Sequence, residues 1–153
     1  MSHASISAHQ NRLSDLFKNS AVLGLDIETQ SHWARYLCVL SCGFIEVSIR
    51  TILEDYVKNH ASTQIANYTH TQLTRFYNPT TNKILSLIQS FDLTWKQSLE
   101  KEITGEMKDA LDSIVNNKNT IVHGQPTGIT FLTIKTYFEQ ACKTIAVLEK
   151  LVI

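Results

Sequence analysis

Between residues 28 and 59, the apolar side chains Trp33, Leu37, Leu40, Phe44 and Val47 recur at intervals of three and four with no proline to interrupt them. That spacing places them on one face of an α-helix about nine turns long, and such a stripe has to be covered by other helices. The remaining chain supplies them. A segment near residues 5–20 carries Ile6, Leu13, Leu16 and Phe17, and shorter helices are expected over 62–76 and 80–101, the latter with a break near Asp92. A further helix is expected over 104–123. The last runs from Thr130 to about Leu151, with Ile134, Phe138, Ala141, Ile145, Leu148 and Val152 on one face. Only two prolines and five glycines punctuate the 153 residues, and Asn78-Pro79 and Gly124 to Gly128 are the clearest stops. The expected fold is an all-α bundle with a long second helix, a single domain over residues 1–153, without repeats or linkers.

Fourteen basic residues balance fourteen acidic ones, so no global positive field advertises a tight, nonspecific nucleic-acid binder. A site built on one or two local cations remains compatible with that balance. The N-terminus lacks the basic-then-apolar order of a secretory signal, and polar residues interrupt the hydrophobic stretches, so a soluble, cytoplasmic chain without a membrane partner is expected. Cys38 and Cys42 lie one helical turn apart on a stripe with Ile45 and Ile49, and Cys142 stands alone. No second cysteine pair and no closely spaced histidines complete a zinc site, so buried free thiols and no metal are expected.

The chemistry concentrates in Asn116-Asn117-Lys118-Asn119-Thr120-Ile121-Val122-His123-Gly124. In steps of three and four, Met107, Leu111, Val115, Lys118 and Val122 share one stripe, so the lysine interrupts an apolar face. Asp112, Asn116, Asn119 and His123 form a polar ladder beside it. Gly124 followed by Pro126 ends the helix at the histidine, where the negative end of the helix dipole favours the protonated imidazole. A histidine titrates near neutrality and can move a proton, while a lysine can offset nearby negative charge. Five helical residues turn about 140° net and rise about 7.5 Å, so Lys118 and His123 point in different directions within one chain. A second copy of the helix packed across a dimer axis brings two such pairs together more naturally. The plainer alternative is a helix terminator: a histidine beside a glycine cap and a lysine meeting the dipole.

Elsewhere, Glu46 and Arg50 sit one turn apart on a mixed stripe with Val39, Gly43 and Leu53, and Glu54 follows Arg50 by another turn. Exposed i,i+4 salt bridges are the plain reading. Gly43 inside a helix suggests close contact with another helix backbone. Tyr68, Phe76 and Tyr77 lie near His70 and Arg75, a grouping that suits single-stranded RNA, although packing in the core is the default for each. The turn at Asn78-Pro79-Thr80 would expose this corner to a partner. His3, His9, His32, His60 and His70 have no chelating spacing, and surface or packing roles are expected for them.

The segment KNTIVHG resembles the RNxxxHG motif of the HEPN domains. Arg35-Tyr36-Leu37, Gly43-Phe44-Ile45-Glu46, Ser48-Ile49-Arg50, Arg75-Phe76-Tyr77-Asn78-Pro79 and Leu111-Asp112-Ser113-Ile114-Val115 extend the likeness to the RiboL-PSP-HEPN subgroup, over roughly residues 30–150. The resemblance implies a HEPN-like helical bundle and a metal-independent endoribonuclease whose site forms across a homodimer. It assigns His123 to the catalytic histidine, Lys118 to the place of the motif arginine and Asn119 to the polar residue after it, with Glu46, Arg50 and Asn116 in support. No cofactor is implied. Lysine here is a departure, because arginine presents a planar fork that binds phosphate bidentately, whereas lysine is a point charge on a flexible stem.

The leading expectation is therefore cleavage of single-stranded RNA through attack of a ribose 2′-hydroxyl, in prokaryotic defence or a toxin–antitoxin setting with an antitoxin or other regulatory protein as partner. The main alternative is a catalytically silent HEPN-like dimer that binds a partner or a nucleotide, favoured by Lys118. A helix-turn-helix DNA binder is weaker, because no short helix presents a basic, groove-reading face.

Overall fold

The computed structural model describes residues 2–153, and among these the ordered elements are helical. Helix α1 spans Ser2–Phe17, a 3-10 turn follows at Ser20–Gly24, and the long α2 runs Ile27–His60. Four shorter helices come next: α3 Thr63–Leu73, α4 Thr81–Phe91, α5 Leu93–Glu102 and α6 Gly105–Val122. The chain closes with α7, Phe131–Leu151. The all-α fold with a long second helix is thus as expected, with first-helix residues beginning earlier than the periodicity alone marks.

Each helix from α2 to α7 starts where a short oxygen-bearing side chain can take a free N–H of the first turn: Asp26, Ser62, Thr80, Asp92, Thr104 and Thr130. At the first of these, Asp26 accepts from the Thr29 N–H and hydroxyl, both at 2.9 Å, and these bonds hold its carboxyl below the usual range. Asp92 has two roles. It ends α4 in extended backbone, and its carboxylate caps α5 by accepting from the Trp95 N–H at 2.9 Å, which is the break expected within 80–101.

The core lies where α2, α6 and α7 pack together, with α1 laid over α2 and α7 and the α4–α5 hairpin joined to α6 and α7. Leu37, Phe44, Ile45, Ile49 and Leu53 from α2 meet Leu111 and Ile114 from α6 and Ile134 and Ile145 from α7, all with almost no exposure. Burying each such side chain favours the fold by roughly 1.5–3 kcal/mol. Phe138 stacks on Phe17 at 4.8 Å and meets Phe44 edge-on at 5.6 Å, so three helices share one aromatic cluster. His9 extends it with an edge contact to Phe44, and burial, then the Arg12 charge, lowers its pKa. By length and composition α2 could cross a membrane, but Ala34, Leu37, Phe44, Ile45, Ile49, Leu53 and Val57 along it are buried in this core.

Three details of the expected packing differ. Val47 and Val122 face solvent, because the apolar stripes of α2 and α6 rotate out of the three-helix seam before reaching them. Gly43 marks no close helix crossing, since a Cβ there would meet nothing within 4 Å. Tyr68 and Tyr77 are 65% and 56% exposed, whereas Phe76 packs against the core.

Candidate active site

Helix α6 is anchored before it reaches its polar end. Asp112 accepts the Thr81 N–H at 2.8 Å, and the Thr81 hydroxyl donates to the Lys108 carbonyl, so the start of α4 is pinned to the side of α6. Asn117 donates to the Ser113 carbonyl at 2.8 Å and accepts from the Thr127 hydroxyl, which ties down the loop after the helix. The helix then stops as its sequence requires. His123 caps it with its N–H on the Asn119 carbonyl, and Gly124 takes φ +71°, a conformation that costs a side-chain-bearing residue about 1–2 kcal/mol.

Lys118 is partly buried, and its ammonium is held by two amide oxygens, Asn78 Oδ1 at 2.8 Å and Asn119 Oδ1 at 3.4 Å. Among the described residues no carboxylate pairs with it. Its charge is therefore oriented without being neutralised, which is the condition for receiving an anion. Asn78 lies 40 residues earlier in the chain and adopts φ +55°, the left-handed region that asparagine enters more readily than other side-chain-bearing residues. The Asn78-Pro79 turn that links α3 to α4 thus carries the acceptor that fixes the lysine.

The neighbouring α2 borders this site. The Cys38 thiol lies 3.5 Å from the Ile114 carbonyl, and one turn on, Lys118 acts on Cys42, so α2 and α6 run side by side in the same direction. Cys42 donates to Glu46 Oε1 at 3.3 Å. Burial, then the Glu46 charge, pushes this thiol up to about 12, with Lys118 pulling the other way. Glu46 and Lys118 consequently act on one thiol in opposite directions. Arg50 follows a turn later and forms no ion pair among the described residues; the expected Glu46–Arg50 and Arg50–Glu54 bridges are absent because Glu46 engages Cys42 and Glu54 engages His70 at 2.8 Å.

The motif residues are therefore divided. Lys118, Asn119 and Glu46 gather at the inner side of the α6 end, while Asn116 and His123 face solvent. Within this chain no hydrogen bond joins His123 to Lys118 among the described residues, in keeping with the angle between them on the helix. Cys38, Cys42 and Cys142 are free thiols, and no group of three His, Cys, Asp or Glu is placed to hold a metal among the described residues. The sequence pattern assigns no chemistry to Asn78 or Cys42; the signal for Asn78 is its place before Pro79 in the RFYNP stretch.

These features, a cation fixed by amides and, five residues on, a histidine at a glycine-terminated helix end, coincide with a match of residues 5–153 to RiboL-PSP-HEPN. The chain belongs to the RiboL-PSP-HEPN family. The match covers almost the whole chain, and it extends the likeness seen over 30–150 back into α1. In this HEPN domain, α6 carries the KNTIVHG segment up to its His123 cap. Neither the curated proteins nor the solved structures contain a match to this chain.

Proposed function

We propose that this HEPN domain is a metal-independent endoribonuclease that cuts single-stranded RNA as a homodimer. The observation that carries this reading is the state of Lys118: held by Asn78 and Asn119, without a carboxylate partner, near a His123 that is open to solvent. A ribose 2′-hydroxyl attacks the adjacent phosphate, His123 moves a proton, and Lys118 offsets charge on the phosphorane. The upstream fragment leaves with a 2′,3′-cyclic phosphate. Two copies of α6 across a two-fold axis bring the Lys118 of one subunit toward the His123 of the other, which answers the angle between them in a single chain. The exposed Val122 at the end of α6 suits such a contact. Glu46 and Arg50 border the site, and Asn116 lies on its solvent side. A cytoplasmic setting in defence or toxin–antitoxin function, with a protein that restrains the cleavage, fits this activity.

A second reading, a silent dimer that binds a protein or nucleotide, is favoured by Lys118 itself, which lacks the bidentate fork of arginine. One experiment separates them. A mixed-sequence single-stranded RNA and its all-deoxy counterpart are incubated in EDTA with the protein and with His123→Ala. The nuclease reading expects RNA cut to cyclic-phosphate ends by the parent protein alone and DNA left intact. Cutting of the all-deoxy strand, or undiminished cutting by His123→Ala, overturns it; no cutting by either protein selects the silent dimer.

A further inference from the structure

The turn that holds Lys118 has a second face. Arg75, Phe76, Tyr77, Asn82, Lys83 and Ser86 line an open groove of about 310 Å³ at the start of α4. Tyr77 is more than half exposed, and it is held in place. Lys83 donates to the Tyr77 carbonyl at 3.1 Å and sets its ammonium 5.0 Å from the ring centroid. Arg75 is exposed, and its guanidinium has no ion pair or hydrogen bond among the described residues. An exposed aromatic ring with one cation over it and a second cation lining the same groove, in a chain whose overall charge is zero, matches the recognition of a single-stranded nucleic acid: a base stacks on the ring and the backbone phosphates meet the cations.

The position of the groove says which part of the substrate it takes. Tyr77 lines it and Asn78, the next residue, holds Lys118, so the backbone positions that carry the ring and the lysine anchor are one Cα–Cα step of about 3.8 Å apart. We propose that the Arg75–Tyr77–Lys83 groove is a subsite for the nucleotide beside the scissile phosphate of single-stranded RNA, with Tyr77 stacking its base and Arg75 and Lys83 contacting its phosphates. This proposal rests on the reading of RNA as the substrate. Stacking accepts any base, so the subsite contributes affinity and register with little sequence preference. The turn then serves both ends of one strand segment, seating a nucleotide on one face and orienting the cation for its neighbour's phosphate on the other.

The test is binding of a fluorescent 2′-O-methyl single-stranded RNA, which lacks the free nucleophile, followed by anisotropy with the full chain and its Arg75→Ala, Tyr77→Ala and Tyr77→Phe variants. Tyr77→Ala is expected to weaken binding about tenfold or more, as loss of one base–aromatic stack does, and Tyr77→Phe to restore it. Arg75→Ala is expected to flatten the plot of log affinity against log salt by about 0.7 for each phosphate that the protein no longer neutralises. Circular dichroism melts confirm that each variant is folded. Binding by the parent chain that neither Arg75→Ala nor Tyr77→Ala alters overturns the groove alone. No binding by the folded parent chain overturns the RNA reading and the groove with it. Groove-dependent binding without cleavage of ordinary RNA keeps the groove as a site for single-stranded RNA and overturns the nuclease assignment, and with it the place beside a scissile phosphate.

Discussion

Replacing Asn78 probes the connection between backbone and site most sharply, because this residue carries a left-handed φ of +55° and accepts the Lys118 ammonium at 2.8 Å. Alanine loses both. The left-handed region costs it about 1–2 kcal/mol, and a hydrogen bond to a charged group contributes about 1.5–3 kcal/mol when buried, which partial exposure of Lys118 reduces to about 1 kcal/mol. Asn78→Ala should therefore lower stability by about 2–3 kcal/mol, or about 5–10 °C in Tm for a chain of this size. Glycine relieves the backbone and should lose only about 1 kcal/mol. Asn78→Asp keeps an acceptor at the same place but neutralises Lys118, so it should retain stability while RNA cleavage falls about 10- to 100-fold in kcat. Urea melts and single-turnover cleavage measure the series, and a double-mutant cycle with Lys118→Ala should show about 1 kcal/mol of coupling. Equal losses for alanine and glycine would refute the backbone argument. Zero coupling would refute the claim that Asn78 holds Lys118.

Other expectations follow from the same structure. Gly124→Ala should destabilise by about 1–2 kcal/mol in urea, because its φ of +71° lies in the left-handed region, and an unchanged midpoint would contradict the cap assignment. Leu111→Ala removes a fully buried side chain from the α2–α6–α7 seam and should cost about 2–5 kcal/mol; a loss below about 1 kcal/mol would mean that the seam is not the core. Burial pushes the thiols of Cys38, Cys42 and Cys142 up to about 12 from 9.0. Below pH 9 both folded and unfolded states keep these protons, whereas between about 9 and 12 only the folded state does. Stability should thus fall as pH rises through that window, less so in a Cys38→Ala variant corrected for its cavity, and a flat profile would show the thiols exposed.

Much of the fold was legible because the information is local. Apolar spacing marked the buried stripes of α2 and α7, and Asp92, Thr130 and Gly124 announced helix ends through capping chemistry that acts within four residues. Even the departures have local sense: Val122 continued the periodicity of α6, but the helix had already outrun its partners. The site was legible only in part. The motif named Lys118, Asn119 and His123, yet what fixes the lysine is Asn78, 40 residues away, and no spacing rule connects a turn asparagine to a helix lysine. Glu46 likewise read as one end of an i,i+4 salt bridge with Arg50, whereas its carboxylate turns back along α2 to the Cys42 thiol one turn earlier. Gly43 misled for the opposite reason, since its composition signal pointed to a close crossing that the packing leaves open.

The central claim is that Lys118 of one subunit works with His123 of the other, and complementation tests it directly. Lys118→Ala and His123→Ala chains, each inactive alone, are mixed under conditions that exchange subunits, and RNA cleavage is measured in EDTA. Random exchange makes about half the dimers mixed, and each mixed dimer holds one intact composite site of two, so the account predicts recovery of about one quarter of the parent activity. Sustained absence of cleavage, with mixed dimers verified by mass, would place both residues in a single-chain site and contradict it.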